Sequence, residues 1–359
     1  TYHYNGQDVN AGNNLLIEQI QKPKTLISFK MAPFVLASTL LTHLFGGSAG
    51  REGTAVQMGG SIADQLSRIK KIRPRDRMII LICGVSAGFA SVFGTPLAGA
   101  IFGLEVSLLG RIRYNALLPS FLAAITANYV CNLWPIKHTY YHVDMIPPLN
   151  ATSLIFTIIA GAIFGLVGCT FTKSMQYITN AFKSIISYAP LRPFVGGSIL
   201  AITIWCTGTT KYIGLGILTI ESAFHDQLPI YDFAIKLLFT AFTLGAGFKG
   251  GEVTPLFFIG ATLGNALSMF IPLPMALLAG LGFVAVFSGA ANTPIATVFM
   301  ALELFGTEIG VYASVACIVA YLFSGHTGIY GSQMIGESKH LKYGRSQGLK
   351  LDDLKIRKK

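Results

Sequence analysis

Two carboxylates stand where an apolar chain should hold none. Glu52 lies in GREGTAVQMGG (50–60), directly behind the apolar run MAPFVLASTLLTHLFGG (31–47). Glu252 lies in GGEVTPLFFIGATLGNAL (250–267). Each sits in a glycine-rich break that opens a helix. The first turn of a helix presents N–H groups without intrahelical partners and about half a positive charge, which suits an anion. A carboxylate placed there is held by the same N–H groups that would hold a free anion. Once protonated it loses that attraction and can swing away. Glu52 therefore reads as an anion mimic that competes with the substrate and carries a proton. An ionisable group at membrane depth costs several kcal/mol unless it is compensated, so its presence points to function. A single glycine in such a break is explained equally well by close helix packing. Paired breaks that each carry a glutamate are not.

Other chemistries find no support. Neither GxSG nor HExxH nor a pair of membrane aspartates appears, so an intramembrane protease or other enzyme lacks a nucleophile and base. The five cysteines (Cys83, Cys131, Cys169, Cys206, Cys317) are odd in number, scattered through apolar segments and without CxxC spacing, against both disulfides and zinc. The histidines show no ligand spacing, and His43 reads as a satisfied packing residue. No cofactor is implied.

The elements that must position these carboxylates are membrane helices. The chain has 359 residues, 52% hydrophobic and only 12% charged, with a mean hydropathy of +0.58. Soluble domains carry about a quarter charged residues. Apolar runs recur at 31–45, 78–109, 115–134, 152–172, 193–206, 233–247, 253–271, 275–302 and 310–324. Some reach the roughly 20 residues that a spanning helix needs; others are short or broken. Broken helices at membrane depth are tolerated only where their free backbone groups face protein or a water-filled cavity. The expected fold class is an all-α polytopic membrane protein with an interior pathway. The net charge of +11 is concentrated in RIKKIRPRDR (68–77), RIRYN (111–115), QKPK and the tail LKYGRSQGLKLDDLKIRKK, whereas 132–153 carries one lysine. That asymmetry is the positive-inside signature of cytoplasmic basic loops and a cytoplasmic C-terminus, not a nucleic-acid surface.

The chain also repeats itself. FGTPLAGAIFGLE (93–105) and ANTPIATVFMALE (291–303) share Thr-Pro, an alanine two residues beyond it and a glutamate ten residues after the threonine. Pro96 follows Glu52 by 44 residues, and Pro294 follows Glu252 by 42. Repeats of this kind place substrate sites near the midplane, where half-helix N-termini converge. The expected organisation is a first membrane repeat over 1–150, N-terminally incomplete, a second, inverted repeat over 151–338, and a cytoplasmic tail over 339–359. Glu105 and Glu303 read as structural polar anchors.

With these features the sequence resembles the CLC family of chloride channels and proton-coupled anion antiporters. GREGT (50–54) is similar to the family's second anion motif, GREGP, with Glu52 at the gating glutamate. GGEVTP (250–255) is similar to the third, and Tyr330 in GHTGIYGS falls at the family's late tyrosine. The resemblance spans essentially the whole chain and implies that two or three family helices precede Thr1. The departures are specific. GNNLL (12–16) puts Asn13 where chloride members carry a serine, Thr54 replaces the proline, and Glu252, Val253 and Thr254 stand in the third motif. Val106 stands where proton-coupled chloride members carry an internal glutamate. This combination is similar to the fluoride-exporting bacterial branch.

The resemblance implies a CLC fold with inverted repeats and broken re-entrant helices, and a homodimer with one pathway per subunit in the inner membrane. It implies proton-coupled fluoride antiport, the alternative being a chloride/proton antiporter or anion channel of the same family. The residues implied are Glu52 and Glu252 for gating and proton transfer, and Asn13, Gly50, Arg51, Gly53, Val253, Thr254 and Tyr330 for the anion. The chemistry agrees, because fluoride is a strong hydrogen-bond acceptor and needs good donors in place of water. Asn13 offers an amide, Thr254 and Tyr330 offer hydroxyls, and the helix termini offer N–H groups. Glu252 admits a plainer reading as an ion-pair partner of Lys249, and Tyr330 one as an interfacial aromatic.

Overall fold

The computed structural model describes residues 12–69, 72–135, 138–340 and 346–356. Lys70 and Lys71 of the basic loop, and 341–345 and 357–359 of the expected tail, lie outside the described residues. The helices are α1 (Asn13–Gln21), α2 (Met31–Leu44), α3 (Glu52–Asp64), α4 (Pro74–Phe93), α5 (Pro96–Glu105), α6 (Leu117–Asn132), α7 (Ala151–Ile185), α8 (Leu191–Thr207), α9 (Ile217–His225), α10 (Asp232–Gly245), α11 (Val253–Leu267), α12 (Met275–Ala291), α13 (Pro294–Phe305) and α14 (Gly310–Phe323). Short helical turns fill some of the gaps. One small sheet departs from the all-α expectation: Leu108–Leu109 pairs in parallel with Met334–Ile335.

Helix breaks follow the repeat. The apolar run 78–109 is not one helix. It ends at Phe93, Gly94 turns into the left-handed region (φ 69), and Pro96 starts α5 at its first position. Proline is well placed there, because an N–H at that position would have no intrahelical partner. The same device recurs at Asn292 (φ 59) and Pro294, which opens α13. Asn292 and Gly94 are equivalent in the two copies, so one backbone conformation serves both. Among the described residues two helices, α4 and α7, are by length and composition long and apolar enough to cross a membrane, while most of the remaining apolar helices have 10–17 residues. The run expected at 152–172 is only the first part of α7, which continues to Ile185.

Packing divides the chain into two compact units, each drawn from distant segments. The first takes the described parts of Thr1–Leu36, Gly53–Lys137 and Tyr330–Lys359; the second takes Ala37–Glu52 and the described parts of His138–Ile329. In the first unit α4 packs on α5 and α6 around Ala90, Ala100 and Ala124. Arg77, expected as a loop cation, is instead buried, with Nε donating to Asp64 Oδ1 (2.7 Å) and Nη2 to Asp64 Oδ2 (2.9 Å). In the second unit α11 and α12 lie side by side with almost no exposed residue. Their backbones touch: a Cβ on Gly260 would stand 2.0 Å from the Gly282 carbonyl oxygen.

Candidate functional site

The predicted site residues fall into two groups. The first is in the second unit, where the chain leaving α2 meets the start of α11. Gly50 and Gly251 exchange both backbone hydrogen bonds, 2.6 Å each way, as an isolated antiparallel bridge. These two glycines belong to the matching breaks of the repeat. An antiparallel pair has a local two-fold axis, the relation that inverted copies require. Side chains at Gly50 and Gly250 would crowd their neighbours. A Cβ on Gly250 would lie 2.5 Å from Ala49 Cβ, and one on Gly50 would lie 2.2 Å from Glu52 Oε2.

That last distance shows where the Glu52 side chain goes. Glu52 is the first residue of α3 and is buried at 3% exposure. Its carboxylate folds back over Gly50, and Oε2 accepts a hydrogen bond from the Thr254 backbone N–H at 3.3 Å. Thr254 is the second residue of α11, so this N–H has no carbonyl within its own helix. The carboxylate thus sits at the positive end of α11, where the dipole favours negative charge. Val253 and Thr254 are buried beside it. Arg51, in contrast, is exposed and forms no hydrogen bond or ion pair among the described residues.

Glu252 occupies the N-cap position of α11 without capping it. Its Oε2 is enclosed and has no hydrogen-bond partner. Lys249 makes no hydrogen bond to that oxygen. Buried polar atoms without partners are rare in folded proteins, so each calls for an explanation. His43, expected to be satisfied by packing, likewise has an enclosed Nε2 without a partner.

The second group is in the first unit. Asn13 and Tyr330 line a small cavity of about 10 Å³ together with Leu16, Ile17, Val85 and Phe102. A cavity of that size holds one water or one comparably small ion. Asn13 is the first residue of α1, behind Gly12, whose left-handed conformation (φ 53) lets the chain turn into the helix. Its Oδ1 is buried without a partner. Tyr330 is 3% exposed, so it is not an interfacial aromatic. Its ring meets Phe102 edge-on, with centroids 6.5 Å apart, and Phe102 stacks on Phe89 at 4.3 Å. Gly53, in the first turn of α3, is buried and belongs to the same unit.

Two participants were not singled out from the sequence. Gly251 makes the bridge to Gly50, and the Gly250–Gly251 doublet within the repeat was its signal. Phe102 forms the wall facing Tyr330; one phenylalanine among 25 carried no signal at all.

The Glu52 carboxylate thus meets the start of α11 beside the Gly50–Gly251 bridge. Residues 1–325 match the family described as voltage gated chloride channel. The chain belongs to the CLC family. A chloride/fluoride channel protein of Pseudomonas syringae pv. tomato is 51% identical over 360 residues, covering 99% of this chain and 79% of that protein. A voltage-gated ClC-type chloride channel of Escherichia coli is 28% identical, over 80% of this chain and 71% of its own length. Among solved structures, a CLC-type fluoride/proton antiporter superposes with a TM-score of 0.89 at 35% identity, over 92% of this chain and 84% of that one. A slow cyanobacterial chloride/proton antiporter gives 0.74 at 22% identity, over 88% and 78%. CLC proteins are integral membrane channels and transporters of anions, not enzymes.

Proposed function

We propose that this protein is a proton-coupled fluoride antiporter that exports fluoride across the bacterial inner membrane, with Glu52 as its protonatable gate. The observation that carries the reading is the Glu52 carboxylate on the Thr254 N–H at the opening of α11. Deprotonated, Glu52 occupies a place that suits an anion. Protonated, it gives up the charge that holds it there, and an anion can take the N–H in its stead. Anion and proton then exchange for one another at a single helix terminus. Glu252, one residue before α11, holds or releases a second proton on the oxygen that lacks a partner.

Fluoride as the anion is supported by the donors and by the relatives. Asn13, Thr254 and Tyr330 supply an amide and two hydroxyls, and the cavity at Asn13 fits a particle the size of water. The Pseudomonas protein at 51% identity is named for both chloride and fluoride, and the solved relative at 35% is a fluoride/proton antiporter. In this reading protons are the counter-substrate, the subunits pair as homodimers with one pathway each, and the basic loops and C-terminus face the cytoplasm.

The test is flux from proteoliposomes loaded with fluoride or chloride, with protons recorded together. Fluoride efflux coupled to proton uptake, and far exceeding chloride efflux, is expected. A fluoride-to-chloride ratio near one assigns the protein to the chloride-transporting alternative. Thr254→Val removes a hydroxyl at nearly constant shape. Losing a hydrogen bond to a charged group costs roughly 1.5–3 kcal/mol, so fluoride binding is expected to weaken about ten- to a hundredfold, and chloride less.

A further inference from the structure

Helix α10 carries a row of polar side chains that the gate by itself does not explain. Asp232, Lys236, Thr240 and Thr243 are each 0% exposed. At 100° per residue they fall within about 80° of arc on one face. Burying polar groups in an apolar helix is costly unless each is bonded, so what each one holds is informative. Asp232 pairs with Lys211 and accepts a hydrogen bond from the Tyr212 hydroxyl at 2.7 Å. One turn on, Lys236 Nζ donates to the carbonyl oxygens of Tyr212 (3.0 Å) and Gly214 (2.8 Å) and lies 5.1 Å from the Phe258 ring of α11. The N–H of Gly214 in turn donates to the Gly47 carbonyl at 3.0 Å. Further along the row, Thr240 Oγ1 bonds Ser48 Oγ at 2.9 Å, and Thr243 Oγ1 accepts from the Ser48 N–H at 3.1 Å.

Apart from Lys236 over Phe258 and Thr243 Oγ1 donating to the Phe239 carbonyl of its own helix, these contacts of the row end on Ser48 or on the 211–214 loop, which bonds Gly47. Gly47 and Ser48 lead directly into Gly50, whose bridge to Gly251 seats the Glu52 carboxylate. We propose that this row is the frame of the gate and that Lys236 is a positioning residue. By clamping the Tyr212 and Gly214 carbonyls it fixes the Gly47–Gly50 segment, and so sets where Glu52 meets the start of α11. Lysine suits the task because its ammonium satisfies two carbonyls at once and its stem packs along Phe258. The inference rests on Glu52 being the gate.

A residue that merely holds the fold would lower stability and flux together and leave the number of protons moved per anion unchanged. The coupling ratio separates the two roles. Fluoride and proton fluxes are measured side by side in proteoliposomes for wild type, Lys236→Met, the Ser48→Ala/Thr240→Val pair and Glu52→Gln. Lys236→Met is expected to lower protons per fluoride several-fold while fluoride flux persists, and the Ser48→Ala/Thr240→Val pair to shift the ratio the same way by less. If Lys236→Met aggregates on size exclusion, the Ser48→Ala/Thr240→Val pair, which keeps the buried cation, decides alone. An unchanged ratio in the folded frame variants, beside an uncoupled Glu52→Gln, overturns the frame. Should Glu52→Gln itself stay coupled, the gate reading fails and the frame inference falls with it.

Discussion

At the Glu52 junction the polar work is done by backbone: two glycines pair through their N–H and C=O groups, and the carboxylate takes an N–H at the helix start. At the Asn13–Tyr330 cavity the walls are largely carbon, from Leu16, Ile17, Val85 and Phe102, and polarity enters through two side chains. At the first, Glu52 itself takes the N–H, while Glu252 Oε2 stays enclosed without a hydrogen-bond partner; at the second, the unpartnered atom is the Asn13 Oδ1. The difference teaches which kind of change each place tolerates. The backbone-paired glycines are sensitive to any added Cβ, whereas the cavity is sensitive to loss of the polar groups that Asn13 and Tyr330 bring.

The largest expected effect is accordingly at Gly50. A Cβ there would stand 2.2 Å from Glu52 Oε2 and 3.1 Å from the Gly251 carbonyl oxygen. Gly50→Val is expected to displace the carboxylate and abolish coupled exchange, with overpacking costing about 1–3 kcal/mol of stability as well. Coupled flux at wild-type level in Gly50→Val would show that the bridge does not seat the gate. Next in size is Asn13→Ser, which trades an amide for a shorter hydroxyl in the cavity. Fluoride over chloride selectivity is expected to fall about tenfold, the scale of one hydrogen bond to an anion, with coupling kept. A selectivity unmoved by Asn13→Ser would transfer discrimination to backbone groups and pore width. Tyr330→Phe is the mildest. It keeps the ring against Phe102 and removes only the hydroxyl, so flux is expected to drop less than about tenfold. A loss of coupling in Tyr330→Phe as deep as that at Gly50 would erase the distinction between the two places.

Much of this was legible in the residues themselves. The Thr-Pro repeat marked two equivalent stretches, and Gly94 and Asn292 take the same left-handed turn before Pro96 and Pro294, inside the runs 78–109 and 275–302 that composition alone left unbroken. The glycine-ringed glutamate anticipated a carboxylate at a helix terminus. It did not disclose that the terminus belongs to α11 and not to the helix that Glu52 itself opens, because a repeat shows likeness and not contact. That the Arg51 side chain is exposed was hidden for a related reason. Adjacency to Glu52 in sequence says nothing about direction, and a residue just outside a helix start can point outward while its neighbour turns in. Tyr330 and Arg77 were open to surface readings because aromatic and basic residues are common at membrane edges. Their burial depends on Phe102 and Asp64, partners with no local mark. The polar row of α10 was visible as Asp232, Lys236, Thr240 and Thr243 at helical spacing inside an apolar run. Its meaning needed Ser48 and Gly214, nearly 200 residues apart in one case and carried by bare backbone in the other.

The central claim is that the Glu52 carboxylate takes the anion's place at the α11 terminus and carries the exchanged proton. Its most direct test is Glu52→Gln in proteoliposomes, with a fluoride electrode and a proton indicator read together. Glutamine keeps the shape and cannot exchange a proton. The account expects proton movement driven by a fluoride gradient to vanish while fluoride still crosses. Proton movement that survives in Glu52→Gln, in step with fluoride, would contradict it.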